Sequence, residues 1–203
     1  MRTMQSELKG LVKELGDRSA ELATGLEKAA RSRGLVDVAY SLVGSPFGDL
    51  LVAVTKQGLI RIDYPNHDFD DSLEELAAKV SPRVLESPRS TERVRRELEE
   101  YFERKRRSFT VDVDLSLVHG FTRKVLEQAA RIPFGSVLTY REVATRAGNP
   151  KAMRAAGNAL GSNPVPIVVP CHRVVRTGGG LGGYTGGIDR KVTLLRLEGV
   201  EVG

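Results

Sequence analysis

A chain of 203 residues, 40% hydrophobic and 28% charged, carries enough apolar side chains for one sizeable core or two small ones, and it has no apolar run of about 18 residues to cross a membrane. Its N-terminus alternates charges with Leu and Val, unlike a secretory leader, and its one cysteine, Cys171, excludes an internal disulfide, a CxxC pair and a Cys-rich zinc site, which fits the cytoplasm. Residues 1–112 hold 19 Lys and Arg against 20 Asp and Glu, whereas residues 113–203 hold 12 against 6, so the halves carry −1 and +6 and the C-terminal one is suited to a polyanion.

Leu8, Leu11, Val12, Leu15, Leu22 and Leu26 predict one or two amphipathic helices in residues 1 to about 34, interrupted by Gly10, Gly16 and Gly25. An appended helix or a partly ordered extension accounts for them without a second function. From Val36 the pattern changes to alternation through Val38, Tyr40 and Leu42. A turn at 44–48 and two apolar runs, Leu50 to Thr55 and Leu59 to Tyr64, follow. This predicts an antiparallel meander. Helices are expected at Ser72 to Val80 and Ser90 to Lys105, the second closed by the basic run Arg104 to Arg107 acting on its C-terminal dipole. A strand at Phe109 to Val113 and a linker near Asp114 to Gly120 complete the first half.

Phe121, Val125, Leu126 and Ala129 lie on one face of a helix that Pro133 stops. Thr139 and Glu142 form a capping box before Tyr140, Val143, Ala144 and Ala147. Gly148-Asn149-Pro150 then separates this helix from one running from Pro150 to about Gly161, with Asn149 as its cap. The closeness of the two suggests a helix-turn-helix. In the second, Met153, Ala156, Gly157 and Leu160 are expected inside. Ala152, Ala155, Asn158, Ala159 and Ser162 would leave a flat outer surface from which Arg154 projects. Such a face suits close approach to a shallow or narrow groove, or close packing of another helix.

The chemistry concentrates in an apolar, extended run from Asn163 to Val175 that contains Pro170-Cys171-His172-Arg173-Val174. A lone cysteine is commonly an inert small hydrophobe. His172 and Arg173 beside it supply the proton acceptor or positive charge that a thiol needs to become a nucleophile. Neighbours on an extended chain point to opposite sides, so the two need a turn or a bridging water. Gly178 to Gly187 lacks the features of a phosphate loop, and its glycines around Tyr184 and Thr185 permit close approach of a planar ligand. A last helix, Ile188 to Leu197, brings Glu198 to its end, where a carboxylate can orient His172 and stabilise its protonated form, although a surface carboxylate is the commoner fate.

At these residues the sequence resembles the O6-alkylguanine-DNA alkyltransferases, from about Phe121 to Gly199 through Gly148-Asn149-Pro150, Arg154-Ala155, Asn163 to Pro166, Pro170 to Val174, Gly182 to Gly187 and Leu194-Leu195-x-x-Glu198-Gly199. The resemblance implies an α/β, ribonuclease-H-like domain at residues 36–113, then a mainly α, winged-helix-like domain with a helix-turn-helix at 114–203; the helical extension at 1–35 lies outside it. It implies single-turnover repair: Cys171 accepts the alkyl group of O6-alkylguanine from double-stranded DNA after the base is flipped. His172 draws the thiol proton through a water, Glu198 orients His172, and Asn163 braces the turn. Arg154, Tyr140, Asn149, Ala155 and Gly157 are the implied DNA contacts, in the minor groove, with Arg154 replacing the flipped base. The Val174 carbonyl, Tyr184 and Thr185 complete the pocket, although many relatives have serine at Thr185. Neither metal nor organic cofactor is implied, and no membrane partner; a monomer is expected, with cooperative loading on DNA left open. The competing readings are a lesion binder without catalysis, against which Cys171 argues, and a thiol peptidase or redox sensor, which leaves Arg154 on its bare helix unexplained.

Overall fold

The structure, a computed structural model, describes residues 33–201 together with Leu22, Gly25 and Ala29; the helices expected in residues 1 to about 34 lie almost wholly outside the described residues. Strands β1 (Val38–Val43), β2 (Leu50–Thr55) and β3 (Gly58–Asp63) form the expected meander. A fourth, β4 (Val84–Glu86), pairs in parallel with β1, so the sheet order is β3-β2-β1-β4. Three residues are too few to show a period, and β4 is a strand only because β1 offers it an edge. The alternation expected from Val36 to Leu42 does not hold: Val38 and Ala39 are both buried, and Leu42 is 51% exposed.

The sheet is covered on both faces, which selects apolar residues at consecutive positions. On one face α1 (Phe69–Lys79) sets Leu76 against Val38, Ala53 and Ile60. On the other, α2 (Pro88–Phe102) brings Val94, Leu98 and Tyr101 to Leu50, Val52 and Leu59. Both helices start earlier than their apolar spacing predicts, because Asp68 and Ser87 cap them by accepting from the Asp70 and Ser90 N–H groups. Helix α2 also ends early, at Phe102, so the basic run lies beyond it and acts through ion pairs: Arg106 with Glu97 and Glu100, Lys105 with Glu103.

Phe109 to Val113 is not a strand. Only Val113 bridges Leu59. The buried Glu97 carboxylate takes the Thr110 N–H at 2.7 Å and its hydroxyl at 2.5 Å, drawing the segment off the sheet. The expected linker is likewise tied down, with Asp114 accepting from the Thr55 hydroxyl at 2.7 Å and the Ser116 N–H at 2.9 Å.

The core on the α2 face continues without a break into four further helices, α3 (Gly120–Ala129), α4 (Tyr140–Arg146), α5 (Met153–Gly161) and α6 (Ile188–Leu197). Helix α3 buries Val125, Leu126 and Ala129 as its spacing predicts, and α4 opens on the expected capping box. Before α4, β5 (Leu138–Thr139) pairs in parallel with β6 (Val174–Val175). This two-residue ladder sets Tyr140 beside the segment that follows Cys171.

Helix α5 begins at Met153 rather than Pro150. Asn149 accepts from the Lys151 N–H at 3.3 Å, which caps the preceding turn, and the N-cap position belongs to Ala152, whose side chain makes no cap bond. Met153 is 39% exposed and Ala159 is buried, the reverse of the expected faces, because the later start leaves Ala156, Ala159 and Leu160 as the inward stripe.

Gly58 carries φ +134, and a Cβ there would be driven into the Asp112 carbonyl. Gly58→Ala is expected to cost at least about 2 kcal/mol, read as a lowered urea midpoint with an unchanged slope.

Candidate active site

The run that leads to Cys171 is buried but not extended. Ile167 sits at φ 74, in a region that branched side chains avoid. Around it the Val168, Val169 and Cys171 N–H groups bond to the Pro166, Val165 and Val169 carbonyls at 2.9, 2.9 and 2.8 Å. Prolines at 164, 166 and 170 deny the strand ladder its donors, and the chain coils into tight turns instead. Asn163 holds the coil: its Oδ1 accepts from the Val165 N–H at 3.0 Å, and its Nδ2 donates to the Val169 carbonyl at 2.8 Å and to Cys171 Sγ at 3.1 Å.

Cys171–Arg173 then form one 3-10 turn, so of the two expected links between thiol and imidazole, a turn or a bridging water, the turn is present. His172 Nε2 lies 2.9 Å from Glu198 Oε1. Glu198 is the C-cap of α6, so the helix end fixes the carboxylate. Sequence reading missed three further donors to this carboxylate. Arg173 binds both oxygens at 2.9 Å, the Tyr101 hydroxyl donates to Oε1 at 2.6 Å, and the Gly135 N–H donates to Oε2 at 3.3 Å. Arg173 was foreseen only as a charge near the thiol, and Tyr101 only as an apolar face residue. Their separations of 25 and 97 residues from Glu198 leave no local signal.

Burial alone would push the Glu198 carboxyl up, but bonds from His172 and Arg173 hold it at about 2. A carboxylate offers no proton, so His172 Nε2 donates and Nδ1 keeps its lone pair. Nδ1 is buried and has no partner among the described residues. Burial depresses the His172 pKa, and although Glu198 opposes this, Arg173 and Lys191 add to it. Glu198 thus favours the protonated form as expected, but burial outweighs it, and the resting imidazole is neutral. Burial also pushes the Cys171 thiol up to about 11, against the Asn163 bond and the nearby Lys191 charge.

Lys191 is a second residue that sequence reading missed. Fully buried, it donates to the Val174 and Leu181 carbonyls, each at 2.5 Å, and burial lowers its pKa to about 8. It thereby ties the glycine-rich loop to the segment after Cys171. That loop sits against aromatic rings. A Cβ at Gly182 would collide with the Tyr140 ring and one at Gly186 with the Tyr64 and Tyr184 rings. Tyr140 donates to the Gly183 carbonyl at 3.2 Å, Tyr184 shares a hydrogen bond of 2.8 Å with Tyr64, and the Thr185 hydroxyl donates to the Gly161 carbonyl.

Cys171 is reached from two sides. A cavity of about 520 Å³ opens from it between α5 and the loop, with Tyr140, Met153, Arg154, Gly157, Arg176 and Tyr184 in its wall. A second, of about 280 Å³, lies between it and the sheet, with Arg61, Asp63, Tyr64, Asn163, Pro166 and Tyr184 in its wall. Of the expected site residues, Asn163, Tyr140, Arg154, Gly157, Tyr184 and Thr185 line one cavity or both, while His172, Glu198 and Val174 stand behind the cysteine. Asn149 and Ala155 are exposed and line neither.

Two outcomes follow from these charges. Glu198→Gln leaves the buried Arg173 without its counter-charge, and a loss of about 3–5 kcal/mol is expected at pH 7. The wild-type carboxyl titrates below its ordinary 4.5, so its contribution is full above that pH and is lost as pH falls toward 2. Urea melts between pH 7 and 3 should show this acid limb in the wild type and its flattening in the variant. In the absence of DNA, alkylation of Cys171 by iodoacetamide should rise about tenfold per pH unit from 7 to 10 without a plateau, since the reactive thiolate forms only near 11; peptide mass spectrometry at timed intervals measures it.

Two family models match the chain: 6-O-methylguanine DNA methyltransferase, ribonuclease-like domain, over residues 38–115, and 6-O-methylguanine DNA methyltransferase, DNA binding domain, over residues 120–200. Among curated relatives, a methylated-DNA--protein-cysteine methyltransferase of Methanosarcina barkeri is 35% identical over 162 residues, which cover 78% of this chain and 96% of that protein. One of the same name from Mus musculus is 37% identical over 182 residues, covering 81% and 82%. Among solved structures, Mycobacterium tuberculosis OGT in complex with DNA superposes with a TM-score of 0.69 at 33% identity, covering 79% of this chain and 92% of that one. Matched in both segments and along almost the whole length of such relatives, the chain belongs to the 6-O-methylguanine DNA methyltransferase family.

Proposed function

We propose that this protein repairs DNA by moving an alkyl group from guanine O6 to Cys171, once per molecule. The observation that carries the reading is the placement of its only cysteine. Cys171 lies at the inner end of a cavity with Arg154 and Tyr140 in its wall, and a single turn links it to the His172–Glu198 pair.

His172 Nδ1, with its lone pair free, takes the thiol proton through a water, and the Glu198 carboxylate stabilises the imidazolium that results. The thiolate pair forms the S–C bond while the C–O6 pair leaves on guanine, which takes up the proton and remains in the DNA. The product is a thioether. The chain has no second cysteine to displace it, so each molecule is consumed. Asn163 holds the thiol in place, the Val174 carbonyl and the Tyr184–Thr185 segment receive the base, and Tyr140 contacts its nucleotide. The Val174 carbonyl already accepts from Lys191 and has a second lone pair for a ligand.

A buried thiol with a raised pKa does not meet a base inside a duplex, so the nucleotide must leave the stack. On this reading α4 and α5 act as a helix-turn-helix entering the minor groove, Arg154 fills the gap, and Asn149, Ala155 and Gly157 approach the backbone; the small residues along α5 support it. We further assign the extension, the ribonuclease-H-like domain and the winged-helix-like DNA-binding and catalytic domain to residues 1–35, 36–113 and 114–203. The protein works as a monomer in the cytoplasm; no helix of the described residues is long and apolar enough to cross a membrane.

Intact and peptide mass spectrometry after mixing with duplex DNA carrying one O6-methylguanine should show a single methyl on Cys171, stoichiometric and without turnover. Cys171→Ser should lose transfer while keeping DNA affinity, and Arg154→Ala should slow transfer from duplex at least tenfold while sparing reaction with the free modified base. Methylation of the serine variant would overturn the assignment.

A further inference from the structure

Tyr184 forms part of the wall of both cavities that reach Cys171, and its ring meets the His172 imidazole edge-to-face with centroids 6.5 Å apart. Its placement therefore bears on whatever lies against the thiol. Yet the backbone that carries it has little stiffness of its own, since Gly182 and Gly183 precede it and Gly186 and Gly187 follow after Thr185. Something outside the loop must fix the ring.

The sheet-bearing half of the chain supplies it. Tyr64 stands one residue beyond β3, 2% exposed, and its hydroxyl shares a hydrogen bond of 2.8 Å with that of Tyr184. Among the described residues the Tyr184 hydroxyl has no other hydrogen-bond partner. The Tyr64 ring is itself held on several sides: Phe47 packs edge-to-face at 5.9 Å, Gly186 leaves no room for a Cβ against it, and the Arg190 guanidinium lies 4.8 Å from its centroid. Arg190 is anchored in turn, donating to Asn66 Oδ1 and to the Gly186 carbonyl, each at 2.6 Å. The same strand is tied to the segment that leads to the cysteine, because the Ile62 N–H donates to the Pro164 carbonyl at 2.8 Å. One hydrogen bond from β3 thus fixes the coil before Cys171, and one from the residue after β3 fixes Tyr184. Burial pushes both tyrosine hydroxyls above their ordinary 10, so each keeps its proton at neutral pH and the bond between them persists.

We propose that Tyr64 is a positioning residue for alkyl transfer: its hydroxyl fixes the Tyr184 ring beside Cys171, so that this wall of the pocket is formed before the base enters. A pocket ordered in advance spends none of the binding energy on ordering itself, and small displacements of its walls are costly to the rate. The proposal rests on alkyl transfer to Cys171 with Tyr184 receiving the base. Tyr64 exchanges no proton with the reactants, and the bond changes at the sulfur are those given above.

The test is single-turnover transfer from duplex DNA carrying one O6-methylguanine, followed over a range of DNA concentrations, with transfer from the free modified base alongside. Tyr64→Phe keeps the ring and its packing and removes only the hydroxyl. The maximal rate constant should fall about fivefold, the worth of one net hydrogen bond, with the half-saturating DNA concentration unchanged and the same factor for the free base. Tyr184→Phe should be slowed as much, and Tyr64→Phe/Tyr184→Phe no further than either alone, because both changes remove the same bond. An unchanged rate constant in Tyr64→Phe, a loss confined to the half-saturating concentration or to duplex DNA, or losses that multiply in the double variant would overturn the assignment. Failure of the wild type to transfer methyl at all would overturn the family chemistry instead, so the two failures are distinguishable.

Discussion

One buried carboxylate organises this molecule. Glu198 accepts five hydrogen bonds, from His172, twice from Arg173, from Tyr101 and from the Gly135 backbone. A carboxylate taken out of water is costly unless its oxygens are filled and its charge is met. Here the donors that fill it arrive from α2, from the loop before β5 and from the turn that carries the cysteine. Satisfying Glu198 therefore brings these elements to one point. The sheet-bearing half of the chain thus contributes to the site through Tyr101, and the uninterrupted core between the halves holds that contact in register.

The same arrangement sets the reactivity of the thiol. Arg173 shares Glu198 with His172, so much of the carboxylate's charge is spent on a permanent cation, and the imidazole stays neutral in its apolar setting. Cys171 rests as a protonated, buried thiol, its sulfur held by the Asn163 amide. Such a group is protected from chance electrophiles and oxidants. On the mechanism proposed above, its activation needs a reactant lodged in the cavity and a proton path to Nδ1 of His172. For a protein that works once per molecule, a thiol that stays unreactive until the correct alkyl group is aligned with it conserves the reagent.

A second clamp controls the opposite wall. Lys191, buried in α6, ties the carbonyls of Val174 and Leu181 together, while Tyr140 and the Tyr64–Tyr184 pair press on glycines of the same loop. The loop is rich in glycine, yet its shape is determined from outside. Removing the Cβ atoms allows the aromatic rings to approach closely, and the rings and the lysine supply the order that the glycines lack.

What can be read from the chain alone is what lies within a few residues of itself. The Thr139–Glu142 capping box, the inward stripe of α3, the limits of α6 with Glu198 at its end, and the single cysteine beside a histidine are all legible, because each depends on helical periodicity or a bond within one turn. Tertiary structure decided the rest. Strand β4 and the β5–β6 pair exist only where a partner edge accepts them. The alternation expected in β1 fails because helices cover both faces of the sheet at Val38 and Ala39 while leaving Leu42 exposed. Phe109 to Val113 is pulled from the sheet by Glu97, and the coil before Cys171 is shaped by Asn163 and its prolines. Above all, the convergence of Tyr101, Gly135 and Arg173 on Glu198 joins residues 25 to 97 positions apart, and the two cavities that meet at Cys171 join others more distant still. No local pattern encodes such contacts, since what selects them is the free energy of burying one charge with all its hydrogen bonds made.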